Sequence, residues 1–167
     1  MTLQAHPTGG YVHTADPGEM GYEGRPPRIS VTDEEAKILS ALAAGLTVYE
    51  IGTGLGVATR AMAETAVKVY TYDTDQWVRR TVYPALPQNV HPLFDGPNLA
   101  QKADMVFVDG LHTYEAVTAD IALAGRCMPS LIVFHDMKLL AVQKAIRASG
   151  LRPVVIRTTY GLGIVRL

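Results

Sequence analysis

The fold of this chain is decided by residues 48–59, which read VYEIGTGLGVAT. An apolar run rich in β-forming residues ends at Ile51, and a helix-forming run begins at Val57. Between them stand three glycines at alternate positions, Gly52, Gly54 and Gly56. Glycine tolerates positive φ and lets a ligand approach the backbone, while a helix N-terminus offers unpaired N–H groups. The stretch therefore predicts a strand, a tight glycine loop and a helix, with a ligand site at the loop.

The composition is that of an ordinary globular chain. Its 167 residues suit one domain, and 48% of them are hydrophobic. A formal net charge of −1 gives no electrostatic footprint for nucleic acid. The single cysteine, Cys127, excludes an internal disulfide and a cysteine zinc cluster. Because we find no signal-peptide pattern and no apolar run of membrane-spanning length, we expect a cytoplasmic protein without a membrane partner.

Strands and helices alternate along most of the chain. A capping box formed by Thr32 and Glu35 opens the first helix, and Asp75 is expected to cap a later helix that stops near Pro84. Apolar runs predict strands at residues 47–51, 68–72, 90–94, 105–108, 131–134, 154–157 and 163–166. This alternation predicts a Rossmann-like, doubly wound α/β fold with a mostly parallel, seven-stranded sheet. Only residues 158–161 separate the last two strands, so we expect an antiparallel C-terminal hairpin.

The first 28 residues differ from the rest of the chain. They are rich in glycine and proline and show no sustained periodicity. A flexible tail fits this composition, but Tyr11, Met20 and Tyr22 are groups that a free tail does not need. We therefore divide the chain into a flexible or lid-like segment, residues 1–28, and a single domain, residues 29–167.

Acidic residues stand where the predicted strands end. They are Glu50, Asp73, Asp95, Asp109 and Asp136. Ligands of open α/β sheets bind outside the carboxyl ends of the strands, so we expect these acids at one site. A carboxylate at the end of the second strand can accept both hydroxyls of a ribose. Asp73 therefore suits a nucleoside cofactor, whether NAD or S-adenosylmethionine (SAM).

The pattern E-x-G-x-G-x-G, which begins at Glu50, resembles the first motif of class I SAM-dependent methyltransferases. The dinucleotide fingerprint G-x-G-x-x-G would need glycine or alanine where this chain has Val57. The resemblance implies SAM as the cofactor, with Thr74 beside the adenine and Asp95 beside its amino group. The cofactor-binding residues that it implies are Glu50, Gly52, Thr53, Gly54, Gly56, Asp73, Thr74, Asp95 and Asp109.

A second signal lies in residues 108–115, VDGLHTYE, and residues 133–136, VFHD. These stretches resemble the macrocin-type and catechol-type O-methyltransferases, in which the acids ending the fourth and fifth strands help to bind a divalent cation. The resemblance implies Asp109 and Asp136 as ligands of a cation such as Mg²⁺, which prefers oxygen. This chain carries Met137 where that subfamily has a second acid or an asparagine. Asp136 could instead cap the helix that follows it.

The candidate catalytic residues are His112 and Asp109, either of which could take a proton from an acceptor hydroxyl. We expect methyl transfer to a small molecule, at a hydroxyl oxygen, with no nucleic-acid partner; a homodimer is compatible with the sequence. One alternative is a catalytically silent SAM-binding domain that acts as a sensor or partner. The other is a nicotinamide-binding oxidoreductase, which the glycine spacing disfavours.

Overall fold

The computed structural model of the chain describes residues 3–5, 11–13, 30–94 and 101–167. The first two of these ranges form a short antiparallel pair of strands, β1 (Leu3–Ala5) and β2 (Tyr11–His13). The rest of the predicted lid lies outside the described residues, and so does Asp95.

The larger part of the described chain is a seven-stranded sheet with helices between its strands. Its elements are α1 (Asp33–Ala43), β3 (Thr47–Ile51), α2 (Val57–Ala63), β4 (Lys68–Tyr72), β5 (Val90–Leu93), β6 (Met105–Val108), α3 (Tyr114–Arg126), β7 (Leu131–Phe134), α4 (Leu140–Ala148), β8 (Val154–Ile156) and β9 (Leu162–Arg166). The strand order is β5-β4-β3-β6-β7-β9-β8. The first five strands in this order run parallel, whereas β9 is antiparallel to both β7 and β8. The predicted fold class, including the antiparallel C-terminal hairpin, is confirmed.

Helices cover both faces of the sheet and form two separate cores. Alternate side chains of a strand point to opposite faces, so Val106 and Val108 of β6 belong to one core while Met105 and Phe107 belong to the other. The first core also contains buried residues of α3 and α4, and the second contains buried residues of α1 and α2. With both faces covered, the carboxyl ends of the strands remain as the place for a ligand.

The helix expected after Asp75 is less regular than predicted. The Asp75 carboxylate does accept a hydrogen bond of 2.7 Å from the backbone N–H of Trp77. A π-helical turn over Val78–Val82 and a 3₁₀ turn over Tyr83–Ala85 then replace a regular α-helix. Pro84 lies in the second turn, where its missing N–H prevents an α-helical hydrogen-bond ladder from continuing.

Candidate functional site

A cavity of about 730 Å³ lies at the carboxyl ends of β3, β4, β6 and β7. This is where the strand order switches direction, from β3 to β4 on one side and to β6 on the other. Eight of the predicted site residues line it: Gly52, Thr53, Gly54, Asp73, Thr74, Asp109, His112 and Asp136. Glu50 and Gly56 do not line it. The volume is in the range of small-molecule and cofactor sites.

The three glycines of the loop all have positive φ but differ in their surroundings. A Cβ on Gly52 would lie 2.1 Å from the backbone oxygen of Asp109, so β6 approaches too closely for any side chain. A Cβ on Gly56, which precedes α2, would lie 2.8 Å from Nη1 of Arg60. Gly54 lines the cavity, and no heavy atom lies within 4 Å of the place where its Cβ would stand. Gly54 is therefore the glycine whose missing side chain leaves room for a ligand.

Glu50 lies behind the loop and is fully buried. Its Oε2 accepts hydrogen bonds from the hydroxyls of Thr59 at 2.6 Å and Thr71 at 2.5 Å, whereas its Oε1 has no hydrogen-bond partner. Thr71 is also 2.6 Å from the hydroxyl of Thr53, which does line the cavity. Burial raises the pKa of Glu50 to about 8, although the two threonine hydrogen bonds lower it. Glu50 thus supports the loop through a chain of threonines.

Asp73 connects the end of β4 to the glycine loop. Its Oδ2 accepts a hydrogen bond of 2.9 Å from the backbone N–H of Gly54, and its Oδ1 accepts one of 2.8 Å from that of Asp75. Asp73 and the neighbouring Thr74 both line the cavity. The carboxylate therefore stands next to the open glycine on the wall of the same cavity.

Two carboxylates and two imidazoles form a cluster at the ends of β6 and β7. His112 Nε2 lies 3.4 Å from Asp109 Oδ1 and 3.0 Å from Asp136 Oδ2. His135 Nδ1 lies 3.2 Å from the same oxygen of Asp109 and 3.0 Å from that of Asp136. The other nitrogen of His135 faces Glu35 Oε2 at 3.3 Å. Both carboxylates are therefore held between the two rings.

Asp136 belongs to this cluster and does not cap a helix, so that expectation is wrong. The helix after it, α4, begins only at Leu140 and has no side-chain cap. Asp136 itself has a φ of 55°. This left-handed backbone conformation is one that aspartate tolerates better than most residues.

Within the cluster, opposite charges and hydrogen bonds shift the pKa values more than burial does. Burial lowers the pKa of both histidines, but the facing carboxylates raise that of His112 to about 9 and that of His135 to about 12. Burial raises the pKa of Asp109 and of Asp136, yet the histidines hold both below the usual range of a carboxyl. The raised pKa values favour the protonated form of both rings at neutral pH, and a protonated imidazole donates hydrogen bonds instead of accepting a proton.

Residues 49–137 match a family model described as a methyltransferase domain. The match covers more than half of the chain and includes the glycine loop, Asp73 and the cluster at β6 and β7. The chain belongs to this methyltransferase family. The predicted class I, SAM-dependent methyltransferase is confirmed, SAM is its cofactor, and the nicotinamide alternative is excluded.

Solved structures that resemble this methyltransferase include enzymes with different acceptors. A protein from Klebsiella pneumoniae that is provisionally assigned as an O-methyltransferase is 16% identical with a TM-score of 0.70, over 83% of this chain and 81% of that one. The O-methyltransferase TomG from Streptomyces achromogenes, solved in complex with SAM, is 16% identical with a TM-score of 0.58, over 83% and 81%. The tRNA (m1A58) methyltransferase TrmI from Aquifex aeolicus is 15% identical with a TM-score of 0.63, over 82% and 69%. At such identities the likeness shows the fold alone. Among curated proteins, no sequence match was found.

The methyltransferase brings together three side chains that offer possible ligand atoms for a metal ion. Ligand atoms of Asp109, His112 and Asp136 all lie within 4.8 Å of one another. Met137 offers no ligand, because its side chain is 6% exposed and packs against Gly163 in the C-terminal hairpin. The predicted pair of carboxylates thus has an imidazole as third donor in place of residue 137. Two carboxylates and an imidazole are a donor set that fits a divalent cation.

Two features of the site were missed by reasoning from the sequence. Asp120 lines the cavity from α3, and burial raises its pKa to about 6. Gly110 leaves room for this carboxylate, because a Cβ there would lie 2.9 Å from it. Glu35 was predicted only as a capping residue, yet it contacts His135, 100 residues away. No local pattern signals a contact over that separation.

Proposed function

We propose that this methyltransferase transfers the methyl group of SAM to a hydroxyl oxygen of a small molecule. The observation that supports the proposal is the cluster of Asp109, His112 and Asp136, which lines the same cavity as the glycine loop. A hydroxyl both donates and accepts hydrogen bonds. The cluster offers ionised carboxylates as acceptors and a charged imidazole as a donor, so it can orient such a group on both sides.

The residues of the cluster have distinct roles in the proposed reaction. The hydroxyl oxygen attacks the methyl carbon of SAM, the new C–O bond forms as the C–S bond breaks, and the electron pair returns to sulfur. The hydroxyl proton passes to the Asp109 carboxylate. A carboxylate suffices as acceptor because the oxygen becomes more acidic as its bond to the methyl group forms. His112, which is charged, holds the acceptor in line with the methyl group instead of removing its proton.

A divalent cation would be held by Asp109, His112 and Asp136, where it would supply Lewis-acid chemistry that lowers the pKa of a bound hydroxyl. His112 would then give up a proton to solvent and serve as a ligand through the ring nitrogen that this frees. With or without a cation, we propose that the two carboxylates orient the acceptor and that His135 orients the carboxylates.

We propose that SAM binds along the remaining wall of the cavity. The open backbone at Gly52, Thr53 and Gly54 suits the methionine part of SAM, and Asp73 suits the ribose hydroxyls, with Thr74 beside the adenine. Glu50 and Gly56 contribute from behind the loop.

The acceptor that we propose is a small molecule and not nucleic acid, since a net charge of −1 gives no overall electrostatic attraction to phosphates. None of the described helices combines the length and the apolar character needed to cross a membrane.

We also propose a cytoplasmic location, a homodimer and a lid formed by residues 1–28. Deletion of residues 1–24 tests the lid: it should leave SAM affinity nearly unchanged and remove methyl transfer.

Methyl transfer from isotopically labelled SAM to a panel of phenols, sugars, amines, RNA and protein tests the proposed function. We expect label on a hydroxyl compound. We also expect Asp136→Asn, which removes a carboxylate that orients the acceptor, to lower kcat by about 100-fold or more while SAM affinity changes little. Asp33→Asn, an exposed acid of α1, is the control and should leave both quantities unchanged. Label on amines or RNA would overturn the acceptor class. SAM binding without transfer to any acceptor would favour the silent domain.

A further inference from the structure

Glu35 is a fully buried carboxylate in the first turn of α1 that accepts five hydrogen bonds. Its Oε2 accepts from the backbone N–H and hydroxyl of Thr32 at 2.9 and 3.0 Å, and from His135 Nε2 at 3.3 Å. Its Oε1 accepts from the hydroxyl of Thr158 at 2.6 Å and the backbone N–H of Tyr160 at 2.9 Å. The capping box explains only the two bonds from Thr32. The other three reach distant parts of the chain.

These contacts connect three separate elements. Thr158 and Tyr160 lie between β8 and β9, and His135 directly follows β7. Glu35 and the two hairpin residues lie outside residues 49–137, the part that matches the methyltransferase family. The buried carboxylate therefore joins α1 and the β8–β9 hairpin to the strand end that carries Asp136.

His135 links Glu35 to the carboxylates that line the cavity. The side chain is 5% exposed, and its ring is held between Glu35 at Nε2 and the carboxylates of Asp109 and Asp136 at Nδ1. A ring with carboxylates at both nitrogens donates from both, so its orientation is fixed at two ends. Tyr160 adds a ring contact, with centroids 5.5 Å apart.

Glu35 does not line the cavity, whereas His135, Asp109 and Asp136 do. We propose that Glu35 is a positioning residue for methyl transfer: through His135 it fixes the carboxylates of Asp109 and Asp136 in the orientation that receives the acceptor hydroxyl. This inference rests on the proposed function of the cluster. Buried hydrogen-bond partners of this kind often matter to a site nearly as much as the groups that touch the ligand.

The test is Glu35→Gln, a change of similar shape that removes the charge. We expect kcat to fall by about 10–100-fold, as for other outer-shell partners. SAM affinity should stay within about 2-fold, because Glu35 does not line the cavity and none of the five hydrogen bonds to its carboxylate comes from the glycine loop or Asp73. Glu34→Gln, an exposed neighbour in the same helical turn, is the matched control and should match wild type in both.

Two further variants distinguish a positioning role of Glu35 from a purely structural one. Thr158→Val removes a hairpin hydrogen bond but leaves the contact with His135, so it should not reproduce the loss of kcat. His135→Asn should reproduce it, and the Glu35→Gln/His135→Asn double variant should be no worse than His135→Asn alone. Equal losses in Thr158→Val and Glu35→Gln, or additive losses in the double variant, would overturn the proposal.

The ring ¹⁵N resonances of His135 report the contact with Glu35 without depending on activity. They should shift in Glu35→Gln and stay unchanged in Thr158→Val and Glu34→Gln. If the wild type methylates no hydroxyl compound, the proposed function fails, and unchanged His135 resonances would separately overturn the link. Should Glu35→Gln not fold, Glu35→Asp, which withdraws the carboxylate by one methylene, gives the same comparison.

Discussion

The backbone N–H of Gly54 donates a hydrogen bond of 2.9 Å to the Asp73 carboxylate, and this bond ties the glycine loop to the end of β4. The loop that we propose for SAM and the acid that we propose for its ribose are therefore positioned by each other. Such preorganisation lowers the entropic cost of binding. It also makes the site depend on the backbone at Gly54, which has a φ of 52°.

Gly54→Ala should weaken SAM binding by about 10-fold or more, because the new Cβ occupies cavity space that the cofactor needs. Gly45→Ala is the matched control: Gly45 has a φ of 72° and equally open surroundings, but it follows α1 and does not line the cavity. Both changes should cost about 1–2 kcal/mol of stability through backbone strain. Calorimetric titration with SAM and urea unfolding measure the two effects, and equal SAM affinity in the two variants would count against this use of Gly54.

The main architecture could be predicted because its signals are local. The strands β3, β4, β6 and β7 have the predicted bounds, since each is a short run rich in β-forming residues that is followed by a glycine or a polar residue. The helix after Asp75 was predicted less well, because its departure into π and 3₁₀ turns depends on backbone hydrogen bonds that no side-chain pattern encodes.

The site could be predicted only in part. Asp73, Asp109 and Asp136 line one cavity, because parallel strands bring their carboxyl ends to one edge of the sheet. The sequence could not show that Glu50 turns away from the cavity, that Asp136 faces two imidazoles, or that Glu35 reaches His135. Each depends on side-chain directions and on contacts between segments far apart in the chain.

The buried Glu50 should make stability depend on pH. Its pKa is raised to about 8 in the folded state, above the value of about 4.3 expected when the chain is unfolded. The stability from its protonated form is therefore fully present below about pH 4 and is lost as the pH rises to about 8. Urea unfolding between pH 5 and 9 should show a steeper decline for wild type than for Glu50→Gln.

The difference between wild type and Glu50→Gln isolates this residue from the histidines, which titrate in both proteins. Glu34→Gln, at an exposed position, should retain the wild-type slope. Parallel curves for wild type and Glu50→Gln would mean that Glu50 is ionised in the folded protein at every pH tested.

Mn²⁺ should bind to one site per chain, with Asp109, His112 and Asp136 as ligands. Asp136→Asn and His112→Ala should each weaken the affinity by about 10-fold or more, because each removes a donor atom. Electron paramagnetic resonance of free Mn²⁺ measures binding without any need for an acceptor. Asp33→Asn is the control for non-specific acidic binding. Unchanged affinity in His112→Ala would remove His112 from the ligand set.

Met137→Asn places at this position a residue of the type found in the metal-dependent subfamily, yet it should not strengthen Mn²⁺ binding. The side chain of residue 137 points into the C-terminal hairpin, where a Cβ on Gly163 would lie 2.6 Å from the methionine sulfur. An amide there is buried away from the three donors, and without partners it should cost about 1–3 kcal/mol of stability. Met137→Leu, which stays apolar, should cost less than about 1.5 kcal/mol. Unfolding in urea and the Mn²⁺ titration check both expectations; a stable Met137→Asn protein with tighter Mn²⁺ binding would show that this side chain can turn toward Asp136.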